Sequence, residues 1–309
     1  MFRRINLKAL VILFAALLSI VVVVELADSR KGGRTFKSQL VSVEADNITA
    51  IEIFPRTTNG QLVKLFKEEE RWKVESEGKK YNADPSTAKR LISQLNDMKP
   101  KSMAATKQER WEKYEVTDSL GTRVKLLNGS EYMADLVIGK FSFSQPRNMT
   151  SYVRLAGEKE VYGVDGMLGS SFNRDLNSFR DRTIIKSDKT EWTKLIFDYP
   201  ADSSFVLEKK GAAWMIGDAK ADSASVAQYL NKIANLSDGN FTDLKPVVAP
   251  THQLTIEGNN SMQKVEITGY WSDGEDFILS TNQNNGAYFN SKTTAEKIFV
   301  PKLEFIQKE

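Results

Sequence analysis

Cysteine is absent from this 309-residue chain and histidine occurs once, at His252. The first absence excludes disulfides, thiolate metal sites, a cysteine nucleophile and lipid attachment through a cysteine. The second excludes histidine-cluster metal sites and would force any histidine-based triad through a single residue. A surplus of either charge is also missing. The 43 basic and 40 acidic residues leave a formal net charge of +3 and are interspersed rather than gathered into a basic stripe, which excludes nucleic acid as an expected partner. No phosphate-cradling Gly-x-x-x-x-Gly-Lys-Ser/Thr loop occurs, nor a strand-linked Gly-x-Gly-x-x-Gly, so neither a nucleotide nor another cofactor is expected. Gly-x-Ser-x-Gly is absent as well, and Gly169-Ser170-Ser171 lacks the strand-turn-helix context of a nucleophile elbow. It reads as a loop.

What is present begins with a long apolar run. Residues 9–26, ALVILFAALLSIVVVVEL, carry only Ser19 and Glu25 as polar interruptions. At ~1.5 Å rise per residue such a run just crosses a hydrocarbon core. It predicts a single-pass transmembrane anchor rather than a cleaved signal peptide, because no Ala-x-Ala pattern follows it. Arg3, Arg4 and Lys8 precede the run, which places residues 1–8 in the cytoplasm and the bulk of the chain in the periplasm or outside, at a bacterial inner membrane. Residues 27–45, with Gly32-Gly33, read as a tether. Hydrophobic residues at 41% and charged residues at 27% suit a globular remainder.

That remainder contains one pattern twice. Ile51-Glu52-Ile53, Leu62–Phe66 and Arg71-Trp72-Lys73-Val74 alternate as three strands. Leu195-Ile196-Phe197, Phe205-Val206-Leu207 and Trp214-Met215-Ile216 repeat the order. The matched Trp72 and Trp214 read as core. Asp84 before Pro85, and Asp222 before Ser223, read as helix N-caps. Ala88, Leu91, Ile92 and Leu95 form one helical face, as do Val226, Tyr229, Leu230 and Ile233. Strand pairs follow in both copies: Val124-Lys125-Leu126 with Val265-Glu266-Ile267, Leu136–Gly139 with Phe277–Ser280, and Tyr152-Val153-Arg154 with Tyr288-Phe289-Asn290. The expected class is α+β: an N-terminal transmembrane helix and two tandem repeats, each a mostly antiparallel sheet with one main helix in the order β-β-β-α-β-β-β. The repeats are expected over 46–187, including a connecting segment, and 188–309. In the connector, Asn173-Arg174-Asp175 and Arg180-Asp181-Arg182 read as a solvated or salt-bridged stretch, with a binding patch as the alternative.

The strand Ile48-Thr49-Ala50-Ile51, the tryptophan strand at Arg71–Val74, the helix opened by Asp84 and the Lys113-Tyr114 stretch recur in a known family. So do Leu136-Val137-Ile138-Gly139, Tyr152-Val153-Arg154 and Arg180-Asp181-Arg182. Together they resemble a bacterial family catalogued as domain of unknown function 4340, over nearly the whole chain. Where that family often shows Tyr-Gly-Leu, this chain has Tyr114-Glu115-Val116. The resemblance implies an envelope-facing protein, sometimes associated with gliding-motility-type ABC transporter components, and supplies no catalytic residues.

Candidates for chemistry are few. Asp273, Glu275 and Asp276 around Gly274 do not match a calcium loop, and Trp271–Gly274 reads as a hairpin turn. Asp273 and Asp276 are the only carboxylate pair considered for a hydrolase. Among the tryptophans, Trp111 in Lys107–Tyr114 is the candidate for a binding surface, with local packing as the plainer reading. The expectation is therefore a non-enzymatic, membrane-anchored module without metal or cofactor that binds or scaffolds a protein partner. An accessory role in an ABC-type system is one setting, and the alternative is a glycan- or lipid-binding protein using the crevice between the repeats.

Overall fold

Alternating apolar residues become strands wherever one side can be covered, and in this chain one main amphipathic helix, with a shorter one beside it, covers each sheet. The computed structural model describes residue 14 and residues 17–19, 37–144, 148–259, 262–271 and 277–306. In the first half, β1 (Ala50–Phe54), β2 (Val63–Glu68), β3 (Arg71–Ser76) and β4 (Lys79–Asn82) form a meander, followed by helix α1 (Pro85–Asn96) and β5 (Pro100–Ala105). A helical turn α2 (Trp111–Tyr114) precedes β6 (Thr122–Asn128), β7 (Glu131–Ser144), β8 (Asn148–Leu155) and β9 (Val161–Asp165). A short helix α3 (Gly169–Phe172) and strand β10 (Thr183–Lys186) lead onward. The second half runs β11 (Trp192–Asp198), β12 (Phe205–Lys210), β13 (Ala213–Ile216), β14 (Ala219–Lys220), α4 (Ser223–Ile233), β15 (Asn235–Ser237) and β16 (Phe241–Thr242). It closes with β17 (His252–Gly258), β18 (Val265–Trp271), β19 (Phe277–Thr281), β20 (Tyr288–Asn290) and α5 (Lys292–Ile298).

Two nine-stranded sheets result, with orders β4-β3-β2-β1-β6-β7-β8-β9-β5 and β14-β13-β12-β11-β17-β18-β19-β20-β16. Strands β10 and β15 form a separate two-stranded ladder. Every pairing is antiparallel. In each sheet the chain leaves one edge, crosses as the helix and returns as the strand at the opposite edge. Ala88, Leu91, Ile92 and Leu95 of α1 are buried against Ile51, Ile53, Leu65, Val124 and Leu126. Val226, Tyr229, Leu230 and Ile233 of α4 are buried against Leu195, Phe197, Leu207 and Leu254. These two apolar cores are distinct.

Helix entry is set locally. The Asp84 carboxylate accepts from the Ser86 amide at 2.8 Å, and that of Asp222 from the Ser225 amide at 2.7 Å. Burial works against the charge on Asp84, but the Ser86 amide and hydroxyl, the Thr87 hydroxyl and nearby Arg90 outweigh it and hold its pKa below the ordinary carboxylate value. Glu115 stands at φ 56° at the end of α2, a left-handed position that suits glycine, which the resembled family often has there. Gly139 answers a different need, since a Cβ there would collide with the Tyr114 carbonyl oxygen and hold α2 off β7.

The expected α+β class with an N-terminal membrane helix gives way to a predominantly antiparallel β architecture. Nine strands stand in each large sheet where the sequence reading counted six per unit. Strands such as β14 and β16, two residues each, are too short to show alternation. The membrane placement is corrected too: no helix among the described residues is long and apolar enough to cross a membrane. Of the run over 9–26, only Phe14 and residues 17–19 are described, as helix, and the rest lies outside the described residues. The single-pass inner-membrane localisation is therefore without support in the structure. Trp72 and Trp214, expected in the core, are half-buried and pack against its margins. The fully buried tryptophan is Trp192.

Two outcomes follow from the helix on the first sheet. Leu91→Ala is expected to lower the unfolding free energy by about 2–5 kcal/mol in urea titration, because it opens a cavity under α1. Asp84→Ala is expected to cost about 1 kcal/mol at pH 7. A carboxylate whose pKa is depressed by folding contributes fully above its unfolded pKa and loses that contribution as pH falls through the folded value. Urea titrations at pH 7 and near pH 3 are therefore expected to show the Asp84→Ala deficit shrinking in acid.

Candidate functional site

Between the two sheets the side chains converge on Arg180. Its backbone forms an isolated antiparallel bridge with Ala83, flanked by Asp181 N–H donating to the Asn82 carbonyl at 2.8 Å and Asp84 N–H to the Phe179 carbonyl at 3.1 Å. The residue is 4% exposed. Its guanidinium carbon lies 3.6 Å from the Tyr81 ring centroid and 3.8 Å from that of Phe241, so one ring from β4 and one from β16 enclose it. Nη1 donates to Asn177 Oδ1 at 3.2 Å and lies 3.9 Å from Asp243 Oδ1. Burial lowers the Arg180 pKa, yet a guanidinium stays protonated across the working range.

Asp243 ties the same elements from outside. Lys79 Nζ donates to its Oδ2 at 2.6 Å and the Tyr81 hydroxyl to its Oδ1 at 2.6 Å. The Lys79 and Tyr81 hydrogen bonds hold the Asp243 carboxyl below its ordinary pKa, while burial and then that carboxylate push the Tyr81 phenol up. A second set of bonds is neutral. Asn82 Nδ2 donates to Asn284 Oδ1 at 2.9 Å, Asn284 Nδ2 to the Asp181 carbonyl at 2.7 Å, and Lys186 N–H to Gln283 Oε1 at 2.6 Å. Asn284 is 2% exposed, so its amide is satisfied within the protein.

Arg180 lines three concavities around this joint, one of them small at about 120 Å³, and two larger ones. The larger of these two, about 830 Å³, is walled by the start of α1, the connector with Arg174, Arg180 and Arg182, Lys186 of β10, and Gln263, Lys264 and Asn285 of the second half. The smaller of the two, about 460 Å³, is bordered by Tyr81, Asp175, Phe241 and Asp243. No aromatic ring lines the larger crevice, and the rings of the smaller one that flank Arg180 are engaged by it.

The residues singled out by sequence lie elsewhere. Trp111 is half-buried, its indole N–H donates to the Lys159 carbonyl at 2.9 Å, and the Arg154 guanidinium covers its ring at 3.9 Å. Arg154 is 5% exposed and bonds the Val116 carbonyl at 2.9 Å. Trp111 thus closes a small packed cluster with Val116, Val137 and Val161. His252 sits among Tyr199, Phe277 and Phe299 with centroids 5.1–5.6 Å away, and burial lowers its pKa. Asp273, Glu275 and Asp276 lie outside the described residues. Among the described residues no cluster of histidine or carboxylate groups could hold a metal.

Sequence reasoning named Arg180 only within a family motif and read its segment as solvated or salt-bridged, without placing it at a joint. Its special position shows in the structure as a mismatch between the copies. Asp84 N–H bonds the Phe179 carbonyl just as Asp222 N–H bonds the Phe305 carbonyl at 2.9 Å. The residue after Phe179 is Arg180, whereas the residue after Phe305 is Ile306, 44% exposed. The second copy thus has no arginine at the matching place.

Arg180→Ala is expected to lower stability in chemical denaturation by roughly 2 kcal/mol or more, since it removes a desolvated cation from two ring faces. Arg180→Lys is not expected to restore it, because an ammonium cannot present two flat faces.

No curated protein and no solved structure matches the chain. The family described as Domain of unknown function (DUF4340) matches residues 72–255, a stretch that runs from the tryptophan of β3 through α1 and the Arg180 joint into β17, and the chain belongs to that family.

Proposed function

We propose that this protein is a non-enzymatic binding module that holds a segment of a protein partner in the larger crevice between its two sheets. The observation that carries this reading is the crevice itself: about 830 Å³ of polar, open concavity beside a joint whose own polar groups are satisfied. A cavity of that size lies within the range of ligand-binding clefts. Ser86 and Ser178, two of the five hydroxyl residues of the wall, are spent on structure. Ser86 Oγ donates to the Asp84 cap at 2.8 Å and Ser178 Oγ to Asp175 at 2.7 Å, and neither meets a histidine or lysine that would activate it.

Partner recruitment by strand addition has less support. Side chains of β4 and of the β16 segment meet at the joint, β14 offers only two residues, and the remaining edge, β5, opens with a proline. A glycan reading would be favoured by exposed aromatic rings in the crevice, and its wall has none. An ABC-type transport assembly is the setting that the family resemblance implies for such a scaffold.

The test is site-directed photocrosslinking in cells, with the reactive residue at Gln263 or Asn285 in the crevice wall, or at Lys210 on β12. The expected outcome is one discrete protein adduct from both crevice positions and none from Lys210. Identical adducts from all three, or no adduct from either crevice position, would remove the reading.

A further inference from the structure

The larger crevice is lined by seven cationic side chains, Arg71, Arg90, Arg174, Arg180, Arg182, Lys186 and Lys264, and by two carboxylates, Asp84 and Asp181. The whole chain carries a net charge of only +3, so this one concavity is strongly positive on a protein that is otherwise slightly negative. Both carboxylates offset part of this field, Asp84 beside Arg90, but seven cations outnumber them, and each carboxylate is also bound to the backbone. Asp84 caps α1, and Asp181 Oδ1 accepts the Thr183 amide at 2.9 Å.

Several of the cations are unspent. Lys264 pairs with Glu266 at 2.8 Å, Arg180 is held in its ring sandwich, and Arg90 bonds only the Thr87 hydroxyl at 3.1 Å. Arg71, Arg174, Arg182 and Lys186 are exposed and form no side-chain ion pair among the described residues. Like charges turned toward one concavity repel in the free protein, and a bound anion removes that repulsion while gaining charge-assisted hydrogen bonds.

Resting on the reading of the crevice as the partner site, we propose that the segment it takes is an acidic peptide, rich in aspartate or glutamate. Two features favour a peptide over a phosphate polymer. The side-chain amides of Gln263 and Asn285 are exposed on the wall and each offers both a donor and an acceptor, which matches a peptide backbone that presents both, whereas a phosphodiester chain presents acceptors alone. No aromatic ring lines the crevice, so bases find no stacking platform.

The experiment is fluorescence anisotropy on the purified full-length chain with labelled octaglutamate, octaserine, and a single-stranded oligonucleotide of equal charge. Octaglutamate is expected to bind at least tenfold more tightly than octaserine and more tightly than the oligonucleotide, weakening steeply as salt rises. The double variant R174E/R182E is expected to lose at least tenfold in octaglutamate affinity, and K210E, on a distant strand, to lose nothing. Neutralised single variants R174Q and K186Q, each expected to weaken binding severalfold, keep the proposal testable if the double reversal fails to fold. Equal binding of octaglutamate and octaserine, tighter binding of the oligonucleotide, or unchanged affinity in R174Q and K186Q would overturn it. If those outcomes occur while crosslinking at Gln263 and Asn285 still yields its adduct, only the acidic class fails and the binding reading stands. Loss of the crosslink removes both.

Discussion

A guanidinium flattened between two aromatic rings joins the halves of this molecule. Removing the Arg180 charge from water is costly. Tyr81 and Phe241 offset that cost with the negative faces of their rings, and Asn177 and Asp243 supply oxygen to its edge. The four partners come from β4, the connector and the β16 segment, so the contact forms only when all are in place. Everything around it inherits that requirement. The asparagine pair Asn82 and Asn284 needs the same approach of β4 to the turn after β19, and the walls of both crevices are set by the same residues.

The joint and the larger crevice divide the electrostatic work between them. At the joint each charge meets a partner: Lys79 and Tyr81 on Asp243, Arg180 on its rings. Along the larger crevice Arg71, Arg174 and Arg182 are exposed and form no ion pair among the described residues. The contrast is informative because a protein stabilised by its own ion pairs would be expected to spread counter-ions evenly. Here Arg180 in its rings, the Lys79–Asp243 pair and the neutral amides hold the halves together, and the unpaired cations stand beside them.

Much of the scaffold was legible where the governing contacts are local. An aspartate before a proline or serine, followed by apolar residues at helical spacing, marks Asp84 and Asp222 as caps from sequence alone, because the capping bond spans two or three residues. Most central strands were equally plain, since alternation reports burial on one face, but β17 beside β11 was not read, so the copies were paired one strand out of step: by place in the sheets β6 matches β17, β7 matches β18 and β8 matches β19. The short edge strands were not, and their number is what turns the expected class into two broad antiparallel sheets. Trp111 drew attention as an aromatic among charges, but the charge that explains it, Arg154, lies on β8 and covers the ring. The candidate site was the least legible part. Arg71, Arg174, Lys186 and Gln263 lie far apart along the chain and share a wall only through the joint. An apolar run near the start suggested a membrane span, and the described residues hold no helix able to make one.

The route of each helix from one sheet edge to the other carries a consequence for assembly. Strand β5 leaves the ribosome before β9, its sole neighbour in the sheet, and must wait unpaired until the four strands from β6 to β9 have been made. A strand left without a neighbour is a hazard for pairing with the wrong chain. Its sequence suits that interval, opening with Pro100 and Lys101 and meeting β9 through an irregular register. In the second sheet the corresponding strand, β16, is cut to two residues, which shortens the exposed ladder instead. Because the last edge of each sheet closes over a long stretch of chain, completion of the sheet, rather than formation of its hairpins, sets the pace of folding.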